Sequence, residues 1–209
     1  MVTVIDYEVS NLTSVVQAIT ALGETPMVIK EPAALEHACK IILPGVGAFP
    51  RAMHNLEKHG FRAILREKVL NEKVPILGIC LGMQLLTEKS YEGEETRGLE
   101  LVPAQVHQLK PNDPRLRVPH VGWNNIVSTG DNVLFQGNLP QQPDFYFVHS
   151  YQVVFPEPLA RLTLCDYGGE FVAAFQKENI FGVQFHPELS HKNGLQVLRN
   201  FFEYPLATA

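Results

Sequence analysis

The chain has 209 residues, of which 45% are hydrophobic and 19% charged. This is the composition of a globular protein and excludes a disordered or fibrous chain. Lysine and arginine number 17 against 22 aspartate and glutamate residues, which gives a formal net charge of −5. Because no basic block is present, the chain lacks the electrostatic footprint of a protein that binds nucleic acid or an anionic membrane.

The three cysteines, Cys39, Cys80 and Cys165, are scattered and form no C-x-x-C pair. They predict neither a disulfide framework nor a structural zinc site, and we expect no metal and no cofactor. The apolar N-terminal run has no basic flank and is interrupted at Asp6, so no secretory signal is indicated. No apolar stretch approaches the roughly 18 residues of a membrane helix, and we expect a soluble, cytoplasmic protein.

The first 90 residues alternate between strand and helix patterns. Buried-strand runs occupy residues 2–6, 27–29, 41–43 and 74–79. Helical spacing covers 12–22, with Asn11 as the N-cap and Gly23 as the stop, and about 52–72, with a break at Gly60. Strands that alternate with helices predict a parallel sheet covered on both faces.

The second half follows a polar loop at 90–98 and is richer in short strands. We predict strands at 105–109, 145–148, 162–165, 171–175 and 180–185, and a last helix over about 194–202. Residues 1–209 therefore form one predicted α/β domain. Its mostly parallel central sheet has helices on both faces, as a three-layer fold, and its second half is more antiparallel.

Cys80 is the candidate nucleophile, because Gly78, Cys80 and Gly82 form G-x-C-x-G between a strand and a helix. This is the thiol form of the nucleophile elbow, in which a Cβ at either glycine would crowd the turn. The helix N-terminus favours the thiolate, and the free N–H of Leu81 can face a developing oxyanion. The alternative, a small buried structural cysteine, stays open for the motif alone, and it is the interpretation adopted for Cys39 and Cys165.

His186 is the candidate base among eight histidines, since it ends an apolar strand and lies two residues before Glu188. In an extended segment both side chains point to the same side, and Pro187 biases His186 towards that conformation. Glu188 would then hold the tautomer and stabilise the imidazolium. The alternative for residues 186–188 is that they are simply the end of a strand and the start of a turn, without a catalytic role. His37, His54 and His59 are expected at the surface.

The sequence resembles the class I (triad) glutamine amidotransferases and, among them, most closely the glutaminase subunits of imidazole glycerol phosphate synthase. The segments that carry the resemblance are IDY…SNLTSV, ILPGVGAF, LGICLGMQLL, VPHVGWNN, FYFVHSY and FGVQFHPE, and they span nearly the whole chain. The resemblance implies the flavodoxin-like class I glutamine amidotransferase fold.

The resemblance also implies the roles of individual residues. Cys80, His186 and Glu188 would form the catalytic triad that hydrolyses L-glutamine through a cysteine thioester. A backbone N–H at Val46 or Gly47, in the PGVG turn, would join that of Leu81 in the oxyanion hole. The residues at positions that hold glutamine in the family are Gly47, Gln84, Glu92, His149, Ser150 and Tyr151.

The family's partner is a (β/α)₈-barrel synthase of histidine biosynthesis. The resemblance therefore implies that this chain forms a heterodimer with such a synthase. Asn11, Trp123 and Asn124 are the candidates for the docking face, although core packing is an equal alternative for Trp123.

Two positions depart from the family pattern. Glu8 stands where the family has glycine, so we expect a reshaped first βα turn, and Leu189 removes a cation near the expected interface. The departures leave room for another ammonia acceptor, such as an amino-sugar pathway. A non-catalytic binding module and a stand-alone thiol hydrolase are the remaining alternatives.

Overall fold

The computed structural model describes residues 2–128, 131–157 and 161–206. The strands are β1 (Val2–Ile5), β2 (Pro26–Ile29), β3 (Lys40–Gly45), β4 (Ile76–Cys80), β5 (Lys89–Ser90), β6 (Thr96–Arg97), β7 (Gln105–Gln108), β8 (His120–Asn125), β9 (Val127–Ser128), β10 (Asp144–His149), β11 (Tyr151–Val154), β12 (Leu162–Asp166), β13 (Glu170–Lys177) and β14 (Ile180–Val183). The α-helices are α1 (Leu12–Ala21), α2 (Phe49–Lys58), α3 (Phe61–Arg66), α4 (Leu81–Leu85) and α5 (His191–Glu203). Short 3₁₀ helices cover Pro32–His37, Val133–Phe135 and Pro187–Leu189, and a π-helical turn covers Glu67–Asn71.

The central sheet has the strand order β2-β1-β3-β4-β14-β13-β12-β9. Its first five strands run parallel, and β14, β13, β12 and β9 pair antiparallel. The predicted fold, mostly parallel at first and more antiparallel later, is confirmed. Strands β1 and β4 are buried along their whole length, which is why neither alternates between buried apolar and exposed polar residues; Thr3, the polar residue of β1, is buried as well.

Two apolar clusters lie on opposite faces of this sheet. One contains the buried side chains of α2 and α3, such as Met53 and Leu65. The other contains those of α1 and α5, such as Ile19 and Phe201. The burial of helices on both faces confirms the three-layer arrangement that the alternating pattern predicts.

The helix boundaries follow the local signals in the sequence. Gly23 has φ of 82° just after α1, and Gly60, with φ of 76°, separates α2 from α3. Asn11 occupies the N-cap position of α1, but its side chain bonds to Ser14 Oγ (3.2 Å) and not to a backbone N–H.

Glu8 corrects one expectation, because it adopts φ of 70°. The left-handed backbone that glycine would favour at this turn is therefore kept by a glutamate, and Asp6 Oδ1 accepts the Glu8 N–H (3.1 Å). A non-glycine residue in this region carries strain of about 1–3 kcal/mol.

Two smaller sheets flank the central one, and the sequence pattern missed some of their strands. Strand β8 pairs antiparallel with β10, and β11, β7, β5 and β6 form a four-stranded sheet. The alternation in β8 is hidden because one side of it consists of Val121, Trp123 and Asn125, all exposed. Among the described residues, none of the helices has the length and apolarity to cross a bilayer.

Candidate active site

Cys80 lies at the junction of β4 and α4, where the chain turns sharply. Its backbone has φ of 53° and ψ of −109°, a region that non-glycine residues occupy only under strain. The strand ends and the helix begins within one residue, as the G-x-C-x-G pattern predicts. Because Leu81 is the first residue of α4, its N–H has no acceptor within the helix.

Steric contacts explain why both flanking positions of the motif are glycine. A Cβ on Gly78 would lie 2.6 Å from the carbonyl oxygen of Gly82, and a Cβ on Gly82 would collide with the carbonyl oxygen of Leu43. Both neighbours are backbone atoms and cannot move aside. The turn therefore depends on the absence of side chains at both positions.

A cavity of about 360 Å³ opens beside Cys80. It is lined by Val46, Gly47, Cys80, Leu81, Gln84, Glu92, Pro119, Val148, His149, Ser150, Tyr151 and His186. The structure thus brings the residues of five predicted segments to one place. Glu188 lies behind His186 and outside this lining, while Pro119 and Val148 were not predicted.

His186 Nδ1 lies 2.7 Å from Glu188 Oε1, and both side chains are almost fully buried. Since a carboxylate can only accept, Nδ1 carries the proton and Nε2 faces away from Glu188. His186 itself is extended, as Pro187 predicts, but Glu188 lies in the 3₁₀ turn Pro187–Leu189 and not in an extended strand. Ser190 Oγ, which donates to the His186 carbonyl (2.6 Å), further holds this turn.

The environment of His186 favours the imidazolium. Burial alone would lower its pKa, but the Cys80 sulfur, as a thiolate, and the Glu188 carboxylate outweigh burial and raise the pKa of His186 to about 10. Nε2 is buried and makes no hydrogen bond of regular geometry to a described residue. It is therefore free to exchange a proton with the sulfur or with a bound molecule.

The sulfur of Cys80 has two further polar neighbours. Its thiol lies 3.7 Å from the Val148 carbonyl oxygen, and the Gln184 side-chain amide nitrogen lies 3.6 Å from Sγ. Beneath the elbow, the Tyr7 hydroxyl donates to the Pro44 carbonyl (2.7 Å). Burial, and secondarily Cys80, raise the pKa of Tyr7 far above its usual range, so it remains protonated.

His149 and His120 form a buried pair at the cavity wall. His149 Nδ1 donates to the Tyr151 carbonyl (2.8 Å), so its Nε2 accepts from His120 Nδ1 at 3.1 Å. Burial lowers the pKa of His120 to about 4. The pKa of His149 is also lowered to about 4, mainly by burial and also by His120 and His186, against the opposing effect of the hydrogen bond to Tyr151. Both rings are therefore neutral at pH 7.

The PGVG turn presents Gly47, with φ of 102°, to the cavity. The N–H of Val46 already donates to the Val9 carbonyl (3.0 Å), so in this conformation it does not point at an oxyanion. Of the two candidate donors in the turn, Val46 would need this bond to break.

Glu92 and Gln84 contribute polar groups on the other side of the cavity. Glu92 Oε2 accepts the N–H of Phe49 at the start of α2 (2.8 Å). Gln84 Nε2 donates to the Tyr151 carbonyl (3.1 Å) and to Gln184 Oε1 (3.0 Å). Within residues 2–128, 131–157 and 161–206, no three His, Cys, Asp or Glu side chains group as metal ligands.

The predicted docking residues lie outside the cavity. Trp123 is 45% exposed and stacks on His191 with ring centroids 5.0 Å apart, so core packing is the wrong interpretation for it. Asn124 Nδ2 donates to the Asp166 carbonyl (2.9 Å), and Asn11 is exposed at the N-cap position of α1. Cys165 is buried as expected, whereas Cys39 is exposed, which corrects the expectation for that residue.

Gln184 and His120 are the polar residues that the sequence reasoning missed. A signal existed for Gln184, since it precedes His186 by two residues, the same spacing that singled out Glu188. His120 had no such signal, because only the pairing of β8 with β10 places it against His149.

The fold is that of the glutamine amidotransferases. A solved glutamine amidotransferase aligns with a TM-score of 0.72 and 17% identity, covering 97% of this chain and 98% of the other. PurLQS from Thermotoga maritima also aligns with a TM-score of 0.72 and 17% identity, covering 97% of both chains.

The family model described as glutamine amidotransferase class-I matches residues 3–204, and the chain belongs to this family. Within it, the imidazole glycerol phosphate synthase subunit HisH 2 of Vibrio vulnificus is 45% identical over 204 residues, covering 97% of this chain and 94% of the relative. The HisH subunit of Moorella thermoacetica is 46% identical over 202 residues, with 97% and 94% covered. The predicted family is thereby confirmed.

Proposed function

We propose that this chain is the glutaminase subunit of imidazole glycerol phosphate synthase and acts in histidine biosynthesis. It hydrolyses L-glutamine to glutamate and ammonia and delivers the ammonia to a (β/α)₈-barrel synthase subunit. The observation that carries the proposal is the strained Cys80 elbow, which opens into the same cavity as His186 with Glu188 behind it. The similarity to HisH subunits over nearly the whole chain supports the choice of acceptor pathway.

In the first half of the reaction, Sγ of Cys80 attacks the side-chain amide carbon of glutamine. The resulting oxyanion accepts the free N–H of Leu81, and a second donor comes from Gly47 or from Val46 once its bond to Val9 has opened. Nε2 of His186 then gives a proton to the amide nitrogen. The C–N bond breaks, ammonia leaves, and a γ-glutamyl thioester remains on Cys80.

In the second half, His186 acts as the base. It takes a proton from a water molecule, the hydroxide adds to the thioester, and the C–S bond breaks to release glutamate. Glu188 holds Nδ1–H throughout, at 2.7 Å, and so keeps Nε2 directed at the reacting atoms. Glu188 stays in place through both halves, whereas the sulfur carries no charge in the thioester, so the pKa of His186 is lower in the second half, when the ring acts as the base.

The cavity lining suits an amino acid. Among the described residues that line it, Glu92 has the one carboxylate, and it can pair with the α-ammonium group of glutamine. Gln84 has both side-chain N–H groups engaged, which leaves its Oε1 as an acceptor. Gly47, His149, Ser150 and Tyr151 complete the pocket for the substrate.

Docking on a partner explains the exposed apolar residues beside the cavity. Trp123, Val121 and Val148 are 45%, 56% and 40% exposed on the paired strands β8 and β10. With Asn11 and Asn124 they form the proposed docking face. Coverage of this face keeps ammonia from bulk water, where it would become ammonium and lose its nucleophilic lone pair.

The test uses the reconstituted complex with the barrel synthase. Cys80→Ala should abolish glutamine-dependent turnover and preserve turnover with ammonium salts, because only ammonia production needs the sulfur. A loss of both activities in a folded complex would count against the proposal. Cys39→Ala is the matched control and should retain both activities, since Cys39 is exposed and does not line the cavity.

A further inference from the structure

Gln184 is fully buried and has no role in the mechanism above, although it contacts the reacting sulfur. Its side chain lies between Gln84 and Cys80: Oε1 is 3.0 Å from Gln84 Nε2, and Nε2 is 3.6 Å from Cys80 Sγ. The effect of this side chain on a thiolate depends on which end of its amide faces the sulfur, because an N–H would stabilise the thiolate and an oxygen would repel it.

The surrounding network fixes this orientation. The carbonyl oxygen of Tyr151 can only accept, and it lies 3.1 Å from the Gln84 amide, so Gln84 presents Nε2 there. That nitrogen has a second N–H, which must meet an acceptor on Gln184. Gln184 therefore presents Oε1 to Gln84 and Nε2 to the sulfur. The same Tyr151 oxygen also holds Nδ1 of His149 (2.8 Å), so it is firmly placed.

We propose that Gln184 is a further catalytic residue, which donates its side-chain N–H to Sγ of Cys80 and stabilises the thiolate. The inference rests on the proposed function, in which Cys80 is the nucleophile. The donor acts when the thiolate is present before attack and again when the thioester C–S bond breaks and the sulfur leaves with the electron pair.

The second neighbour of the sulfur makes such a donor necessary. The Val148 carbonyl, 3.7 Å from Sγ, accepts the S–H of the neutral thiol but repels the thiolate with its negative dipole. The Gln184 amide has the opposite effect, so deprotonation exchanges one partner for the other without moving the sulfur. Gln184 and His186 then hold the thiolate from two directions.

The test is the pH dependence of Cys80 alkylation by iodoacetamide, followed by mass spectrometry of the Cys80 peptide. Gln184→Met removes the donor and keeps a similar length, and the midpoint of alkylation should move up by about one pH unit. Gln184→Glu keeps the size of the side chain but presents an oxygen, so its midpoint should move at least as far. Glutamine-dependent kcat should fall about tenfold, with ammonia-dependent turnover unchanged.

Gln176→Met is the matched control, since Gln176 is a buried glutamine on β13 that bonds to Val133 and Glu178 and has no contact with the sulfur. It should keep the wild-type midpoint. If Gln184→Met does not fold, Gln184→Glu decides. If the folded Gln184 variants kept the wild-type midpoint of alkylation, the inference would be overturned but the proposed function would stand. If Cys80 of the wild type were alkylated no faster than the exposed Cys39, that result would overturn both the inference and the proposed function.

Discussion

The buried histidine pair should make the protein sensitive to acid. Burial holds the pKa of His149 at about 4, against 6.5 for an ordinary histidine, and His120 is lowered to the same value. In the folded protein both rings stay neutral, whereas in the unfolded chain both take up protons below pH 6.5. The contribution of the neutral pair to the free energy of unfolding is therefore fully present above pH 6.5. It falls as the pH drops from 6.5 towards 4.

The magnitude follows from the size of the shift. The difference between 6.5 and about 4, at 1.36 kcal/mol per pKa unit, corresponds to about 3 kcal/mol for one ring, most of which is lost by pH 4.5. The two rings lie 3.1 Å apart, and they titrate as a coupled pair because a proton on one disfavours a proton on the other.

The assay is urea unfolding at several values between pH 7.5 and 4.5 for the wild type and for His149→Gln. Glutamine can donate to the Tyr151 carbonyl and accept from His120, but it does not titrate. The variant should lose about 2 to 3 kcal/mol less than the wild type over this range, while the exposed His37→Gln should follow the wild-type curve. Parallel curves for wild type and His149→Gln, within about 0.5 kcal/mol, would refute the reasoning.

Three further predictions concern the backbone of the elbow, the first turn and the docking face. Gly82→Ala should destabilise the protein by about 3 kcal/mol or prevent folding, because its Cβ meets the Leu43 carbonyl. Gly93→Ala, with φ of 74° and open space around it, should cost only about 1 kcal/mol in the same urea titration, and equal costs would contradict the steric argument. Glu8→Gly should raise the free energy of unfolding by about 1 kcal/mol through relief of the positive φ, and a lower value would show that this turn is unstrained. Trp123→Ala should leave the isolated chain within about 1 kcal/mol of wild type but weaken partner binding about 30-fold, or about 2 kcal/mol, in calorimetric titration. Val28→Ala, an exposed residue on the edge strand at the far side of the sheet, should bind normally, and an equal loss in both variants would argue against the docking face.

The proposed triad could be predicted from the sequence because each of its members has a local signal. Gly78 and Gly82 mark the Cys80 turn through sterics that act within a few residues, although the Leu43 carbonyl that excludes a Cβ on Gly82 comes from a neighbouring strand. His186 and Glu188 are two residues apart, so their contact forms within one short segment. The two side chains meet even though Glu188 lies in a 3₁₀ turn, because either conformation brings them together.

What the sequence determined by itself was the order of strands and helices, the elbow and the family, because periodicity, glycine sterics and short spacing are properties of neighbouring residues. The tertiary structure decided the partners of the sulfur, the tautomers of His149 and His120, the exposure of Trp123 and the bond between Val46 and Val9. These contacts join residues far apart in the chain, such as Cys80 and Gln184, which are 104 positions apart. Such contacts depend on which strands lie side by side, and strand adjacency follows from the packing of the whole sheet.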